Sequence, residues 1–207
     1  MLKFEALEPK TRIIFDKLAE IWCPFPLVWW TGLSLQIGHR KSIDLDFVAN
    51  RLVTFKDIQI FKKLSSKFEI VYSSNEQIDM FADGVKITLF SYRRKEHFPF
   101  KFHKKLKIRD IKDIAMSKAS TIWRREEMKD YIDLYVILRQ WILSLEELIT
   151  SSQKKFKWEF SEKLFLKQLL LVKDIENYDI NFIGEKIWVE EMHDFFHELV
   201  EKRLNSK

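Results

Sequence analysis

The chain has 207 residues, of which 46% are hydrophobic and 14% aromatic, and its formal net charge is +5. This aromatic content excludes a disordered chain, and the single cysteine, Cys23, cannot form an internal disulfide. No apolar run reaches the ~20 residues that a membrane span needs, and the N-terminus lacks the pattern of a signal peptide. We therefore expect a cytoplasmic protein that does not contact a membrane, with a buried thiol at Cys23.

The positive charge is concentrated in one stretch, residues 93–112. This stretch contains nine lysines and arginines and two acidic residues, so its net charge is +7 and that of the rest of the chain is −2. The nine are Arg93, Arg94, Lys95, Lys101, Lys104, Lys105, Lys107, Arg109 and Lys112. A block of this kind can contact phosphates, so RNA is one candidate partner for it. A solvated loop with a basic bias is the alternative.

The first part of the chain mixes short helices with short strands. Apolar spacing predicts helices over 9–21, 31–38 and 58–64, and strands over 27–30, 43–48, 68–72, 77–81 and 85–92. Asp83-Gly84 is a typical hairpin turn between the last two strands. The strand predicted at 27–30 would send the rings of Trp29 and Trp30 to opposite faces.

After residue 110 the pattern becomes helical. Predicted helices cover 111–119, 128–138, 143–149, 160–172 and 188–204. Strands followed by helices indicate an α+β fold. We expect a mixed α/β domain over residues 1–109 and a helical domain over residues 110–207.

Asp44 and Asp46 are the most specific local feature. In a strand, residues two apart point to the same face, so these carboxylates would lie side by side while Ile43, Leu45 and Phe47 face the other way. Adjacent negative charges repel, and a divalent cation resolves the repulsion. Mg²⁺ is typically held by one or two carboxylates together with substrate phosphates. Two solvated aspartates on an exposed strand are the alternative.

Phosphate-binding groups precede this doublet. Thr31 begins a predicted helix, whose first N–H groups can bind an anion. Arg40, Lys41 and Ser42 lie just before Asp44 and could also reach phosphate oxygens. The alternative for Arg40 and Lys41 is an ordinary polar loop.

A second group of candidates lies in the helical half. Lys118 stands among apolar helix residues and could point inward to a triphosphate, or else extend its ammonium from a helix boundary to solvent. Asp130 and Asp133 are three residues apart on one helix face. Asp130 could accept a proton from an attacking hydroxyl, or serve only as a charge at a helix N-terminus.

No other catalytic class is indicated. His193 and His197 are four residues apart and could bind a metal, but they lack the H-E-x-x-H pattern. A glycine-rich phosphate loop is absent, and we expect the tryptophans and phenylalanines mainly to fill the core.

Together these stretches resemble the nucleotidyltransferase AbiEii/AbiGii toxin family, a branch of the polymerase-β-like nucleotidyltransferases. The resemblance covers nearly the whole chain. It is carried by four ordered motifs, which are Thr31-Gly32-Leu33-Ser34-Leu35 through Gly38-His39-Arg40 to Ser42-Ile43-Asp44-Leu45-Asp46-Phe47, then Asp83-Gly84-Val85-Lys86-Ile87, then Asp113-Ile114-Ala115-Met116-Ser117-Lys118, and finally Lys129-Asp130-Tyr131-Ile132-Asp133-Leu134-Tyr135.

The resemblance implies a mixed sheet with flanking helices, followed by a C-terminal helical bundle. It implies metal-dependent transfer of a nucleotidyl group from an NTP, with Mg²⁺ or Mn²⁺ held by Asp44 and Asp46. It also implies a toxin that modifies an RNA such as tRNA, opposed by an antitoxin, in phage defence or growth arrest. The implied nucleotide-binding residues are Thr31, Gly32, Arg40, Ser42, Lys118 and Lys129, and Asp130 is the implied proton acceptor.

Two positions depart from the family pattern. Trp29-Trp30 stand where the family has two glycines, and Thr88 stands where the superfamily has a third carboxylate. They motivate an alternative, a catalytically degenerate protein that binds RNA or a protein partner. A phosphotransferase on the same scaffold is a third possibility.

Overall fold

The computed structural model describes residues 1–176 and 179–205. The chain forms two compact units, Met1–Asp110 and Ile111–Lys207. Within the described residues, no helix is both long and apolar enough to cross a membrane.

The first unit contains a four-stranded sheet, a small hairpin and three α-helices. Its helices are α1 (Pro9–Glu20), α2 (Trp29–Ile37) and α3 (Ile58–Lys62), and its strands are β1 (Leu45–Ala49), β2 (Phe68–Ser73), β3 (Gln77–Ala82), β4 (Val85–Ser91), β5 (Lys101–His103) and β6 (Leu106–Ile108). The strand order is β1-β4-β3-β2, with β1 parallel to β4 and the other pairs antiparallel.

The sheet register places three polar residues in one row. Asp46 of β1 lies opposite Thr88 of β4, and Thr88 lies opposite Asp79 of β3. Directly opposed residues share a face of the sheet. On β1 the two residues beside Asp46, Leu45 and Phe47, point the other way and are fully buried in the core. The sheet therefore has an apolar core face and a second face that carries this polar row.

The core of the first unit explains why these elements form. Ile14, Phe15 and Leu18 recur at helical spacing along α1 and are buried in the core.

Between β3 and β4, Asp83 and Gly84 have φ angles of 50° and 81°, which a two-residue hairpin turn requires. This turn confirms the expectation from the Asp-Gly pair.

Two sequence predictions in the first unit are wrong. Residues 27–30 do not form a strand, because Leu27 makes only isolated bridges to Phe47 and Ile108 and helix α2 begins at Trp29. Leu27 and Val28 are buried, and the period of a four-residue apolar run cannot distinguish a short strand from the start of a helix. Ile43 is 60% exposed, so it does not join Leu45 in the core.

The second unit is helical. Its helices are α4 (Ile111–Arg125), α5 (Met128–Arg139), α6 (Leu145–Phe156), α7 (Glu162–Leu170) and α8 (Val189–Asn205). Helix α4 packs against α5, α6 and α7, and α8 packs against α5 and α7. All five predicted helices are present. Helices α4 and α6 run longer than their apolar patterns indicated, and Ser144 caps α6 in a capping box with Glu147.

Candidate active site on the first sheet

The aspartate doublet lies at the start of β1. Asp46 is inside the strand and 4% exposed, whereas Asp44 immediately precedes the strand and is half-buried. Strand alternation aims the Asp46 carboxylate at the polar face of the sheet, whereas Asp44 belongs to the segment that leads into the strand. The buried position of Asp46 raises the cost of its charge unless positive charge lies nearby.

Thr31 connects α2 to the doublet. Its side chain is fully buried, and its hydroxyl donates a hydrogen bond to the backbone carbonyl of Asp44. The Ser42 hydroxyl lies 2.6 Å from the same Thr31 oxygen and therefore donates to it. One residue before α2, the Val28 N–H donates to the carbonyl of Asp46 at 2.9 Å. The beginning of α2 is thereby held beside both aspartates.

The other predicted phosphate ligands lie in the same segment. Gly32 is buried in the first turn of α2, where its N–H donates to the Val28 carbonyl. Arg40 is 2% exposed, and its Nη1 donates to the carbonyl of Lys41 at 3.2 Å. Their roles as nucleotide ligands stay predictions. For Thr31 the contacts favour positioning of the Asp44 loop, because its hydroxyl already has two local partners.

Trp29 and Trp30 occupy the first turn of α2 and are half-buried. Trp29 has a φ angle of +47°, a left-handed conformation that glycine adopts readily and tryptophan rarely. Its indole packs 4.6 Å from the ring of Phe90 and 6.4 Å from that of Trp30. Phe90 is two residues beyond Thr88 on β4, so it shares the face of the polar row. Trp29 therefore lies at the polar face of the sheet and not in the core.

The described residues contain no group of three or more His, Cys, Asp or Glu side chains suited to a metal ion. Thr88 lies opposite Asp46 and supplies no carboxylate. Two carboxylates still suit Mg²⁺ that arrives with a triphosphate, because that ion completes its coordination with phosphate oxygens and water. By its donor chemistry, the doublet fits one such ion.

Lys118, a predicted nucleotide ligand in the helical half, lies in a buried ion cluster of the second unit. Its Nζ is 2.7 Å from a carboxylate oxygen of Asp130 and 2.6 Å from one of Asp133, and all three side chains are at most 1% exposed. Arg125 adds a contact of 3.0 Å to Asp130. The helix spacing brings both aspartates to one face of α5, opposite Lys118 on α4. This cluster joins the two helices, whatever else it does.

Two further features of the second unit bear on the sequence predictions. Lys129 is half-buried beside a cavity of about 150 Å³ that Asp179 and Ile180 also line. Lys155 of α6 contacts Asp113 of α4 at 2.5 Å, with both side chains buried. Sequence reasoning missed this second buried pair, since 42 residues separate its members.

His193 and His197 have ring centroids 6.0 Å apart, and each pairs with a carboxylate, Asp194 or Glu201. They join no metal-binding group among residues 1–176 and 179–205.

Cys23 is buried, and loss of solvent raises the pKa of its thiol to about 11, which agrees with an unreactive core cysteine.

The basic segment is more ordered than a plain loop. It contains the hairpin β5–β6, with Lys104 in the turn at a φ angle of 51°. Lys104 pairs with Glu20, and Lys101 lies 3.9 Å from Asp110. Arg109 is fully buried and pairs with Glu96. These contacts neutralise part of the segment's charge.

The chain is similar in sequence to a protein of about the same length. No protein-family model matches the chain. An uncharacterized protein of Aquifex aeolicus (strain VF5) is 29% identical over 191 residues, which are 88% of this chain and 89% of that protein. The chain thus has a relative of similar length, whose name assigns no activity.

Three solved structures are similar over most of their length. JHP933 of Helicobacter pylori has a TM-score of 0.55 and 16% sequence identity, over 97% of both chains. A candidate nucleotidyltransferase of H. pylori has a TM-score of 0.58 and 15% identity, over 95% of this chain and 94% of that chain. MenT4, a nucleotidyltransferase toxin of Mycobacterium tuberculosis H37Rv, has a TM-score of 0.57 and 11% identity, over 94% of this chain and 86% of that chain. The chain therefore has the α+β fold of nucleotidyltransferases, a mixed sheet with flanking helices and a C-terminal helical region. The fold class expected from the sequence is confirmed.

Proposed function

We propose that the protein is a nucleotidyltransferase toxin that transfers a nucleotidyl group from an NTP to an RNA acceptor. The observation that carries the proposal is the attachment of α2 to the aspartate doublet. Thr31 and Val28 bond to the backbone carbonyls of Asp44 and Asp46, so the helix start and both carboxylates form one constellation. A helix start is a site for phosphate, and the carboxylates suit the cation that accompanies it.

In the proposed reaction a hydroxyl of the acceptor attacks the α-phosphorus of the NTP. A new P–O bond forms, and the hydroxyl proton passes to a base, the role assigned to Asp130. The bond between the α-phosphorus and the bridging oxygen breaks, and pyrophosphate leaves with the electron pair. Mg²⁺, or Mn²⁺ in its place, would neutralise charge on the phosphates. Asp44 and Asp46 would hold that ion, and Thr31 and Ser42 would keep the Asp44 backbone in place.

The proposal assigns nucleotide binding to Gly32, Arg40, Lys118 and Lys129 and acceptance of the hydroxyl proton to Asp130. It also includes an antitoxin partner and a role in phage defence. Support for the toxin context comes from the fold shared with MenT4. Expression of the wild-type chain should arrest bacterial growth, and expression of the Asp46→Asn variant should not.

The decisive test is incubation of the protein with total RNA and each of the four NTPs labelled at the α-phosphate. We expect labelled RNA and released pyrophosphate with at least one NTP, and loss of both in Asp44→Asn and Asp46→Asn. Asp79→Asn is the matched control, because Asp79 lies on the same face two strands from β1 and its carboxylate bonds to Gln77. Labelling that survives both doublet variants would refute the proposal, and release of NDP in place of pyrophosphate would identify a phosphotransferase.

Two observations favour a second candidate, a degenerate protein that binds but does not catalyse. The Trp29 indole occupies the helix start proposed for phosphate, and Thr88 supplies no third carboxylate. This candidate requires that no NTP labels RNA or protein. Calorimetry then separates the two, because tight Mg-NTP binding that is lost in Asp44→Asn contradicts the degenerate form.

A further inference from the structure

The first unit contains a cavity of about 740 Å³ that the proposed chemistry does not use. It lies at the carboxyl ends of the parallel strands β1 and β4, between residues 48–51, residues 92–100 and the turn at 24–26. Val48 lines it and is two residues beyond Asp46 on β1. Residues at this spacing share a face and lie roughly 7 Å apart along a strand, so the cavity begins near the doublet.

Positive charge dominates the lining. Arg93, Lys95 and Lys107 contribute cations, and Arg93 and Lys95 are exposed. Neither of these two forms an ion pair within the part of the chain that the structure describes. Arg51 also lines the cavity, but its guanidinium is held by the Asp57 carboxylate through contacts of 2.7 and 2.8 Å.

Aromatic rings stand next to these cations. Phe98 and Phe100 line the cavity and are half-buried. The Nζ of Lys107 lies 5.8 Å from the centroid of the Phe100 ring. A ring face beside a cation suits a nucleobase and its phosphate, since bases stack on aromatic side chains and lysines and arginines neutralise the backbone.

Buried contacts hold the walls of the cavity in place. Arg109 is fully buried, pairs with Glu96 and stacks 4.6 Å from the ring of Tyr92. Near Lys107, the Leu27 N–H donates to the Lys107 carbonyl at 2.8 Å, and the Arg109 N–H donates to the Leu27 carbonyl at 2.9 Å. The basic segment is thereby fixed at both ends, which lowers the ordering cost of binding a ligand there.

We propose that this cavity binds a single-stranded segment of RNA, with phosphates on Arg93, Lys95 and Lys107 and a base on Phe98 or Phe100. The inference rests on the proposed function, because it assigns the site of the RNA acceptor. A single strand fits better than a duplex, since the rings can stack only on bases whose faces are open. The basic segment is thus divided into a binding part, Arg93, Lys95 and Lys107 at the cavity, and exposed lysines that do not line it, Lys101, Lys104 and Lys105.

The test is fluorescence anisotropy with a labelled, unstructured single-stranded RNA of about twelve nucleotides, without NTP or divalent cation. Arg93→Ala with Lys95→Ala should weaken binding at least tenfold. It should also lower the slope of log affinity against log salt by roughly 1.4, the value for two lost phosphate contacts on a single strand. The matched control is Lys101→Ala with Lys105→Ala, which removes two charges from the same segment outside the cavity. It should change affinity less than threefold.

Phe98→Ala should weaken binding about fivefold or more without changing the salt slope, because stacking is worth roughly 1–3 kcal/mol per base. Thermal unfolding checks that each variant is folded, and Arg93→Gln with Lys95→Gln replaces the alanine pair if that pair is not. Equal losses in the cavity and control pairs, equal binding of a duplex, or no RNA binding by the wild type would each overturn the proposal.

These outcomes are separable from failure of the proposed function. Binding is measured without nucleotide, so Asp44→Asn should bind RNA as the wild type does. If the wild type labels no RNA but binds it, and Arg93→Ala with Lys95→Ala weakens that binding, the result supports this inference alone. Labelling of another acceptor by a protein that does not bind RNA supports nucleotidyl transfer alone.

Discussion

The hydroxyl of Thr31 donates a hydrogen bond to the backbone carbonyl of Asp44, across 13 residues of chain. The two residues belong to different elements, the buried face of α2 and the segment that leads into β1. This bond positions one of the two carboxylates on which the proposed chemistry depends.

Removal of that bond should impair the site more than the fold. Thr31→Val keeps the shape of the side chain but leaves the Asp44 carbonyl and the Ser42 hydroxyl without the Thr31 partner, at a cost of about 1–3 kcal/mol in unfolding free energy. We expect nucleotide transfer to fall at least tenfold. Thr11→Val is the matched control, because the buried Thr11 hydroxyl donates to the Ile43 carbonyl at 2.7 Å. An equal loss of activity in both variants would contradict a specific role for Thr31.

The buried cluster around Lys118 predicts a large effect on stability. Lys118→Met leaves Asp130 and Asp133 without their shared cation, and breaking a buried ion pair costs roughly 3–5 kcal/mol. Urea unfolding should show this loss, while Lys129→Met, at a half-buried position, should change stability by less than about 1 kcal/mol. A Lys118→Met variant that is fully stable but inactive would instead assign the lysine to nucleotide binding alone.

Substitution of Trp29 should improve Mg-NTP binding, whereas the two substitutions above impair activity or stability. Trp29→Gly removes an indole from the first turn of α2, the proposed phosphate site, and suits the φ angle of +47°. We expect tighter Mg-NTP binding by calorimetry, by severalfold. Trp141→Gly is the control for backbone strain, since Trp141 has a φ angle of 54° in the other unit and is exposed. Weaker Mg-NTP binding in Trp29→Gly would show that the indole contacts the ligand instead of crowding it.

Asp57 predicts a pH dependence of stability. Hydrogen bonds from Arg51, followed by those from Thr54, lower the pKa of the Asp57 carboxyl below its usual value. A carboxyl with a lowered pKa stabilises the fold above its unfolded pKa of about 4 and loses that contribution as the pH falls through the folded value. The stability difference between wild type and Asp57→Asn should therefore be largest near pH 6 and shrink below about pH 4. Urea unfolding across this range measures it, and a constant difference would refute the assignment.

The local pattern of the chain determined much of the fold. Helices α1 and α5, strands β3 and β4 and the Asp83-Gly84 turn lie within a residue or two of their predicted bounds, because each has a clear period or turn signal. These features depend on residues that are close in sequence, so the sequence alone suffices.

Tertiary structure decided everything that joins distant residues. Only the sheet register places Thr88 and Asp79 in a row with Asp46, and only packing of α4 on α5 brings Lys118 between Asp130 and Asp133. The run at 27–30 became a helix start because hydrogen bonds from Leu27 to β6 and from Val28 to β1 fix its backbone. Such bonds depend on which segments meet in the folded chain, and neither composition nor periodicity encodes that locally.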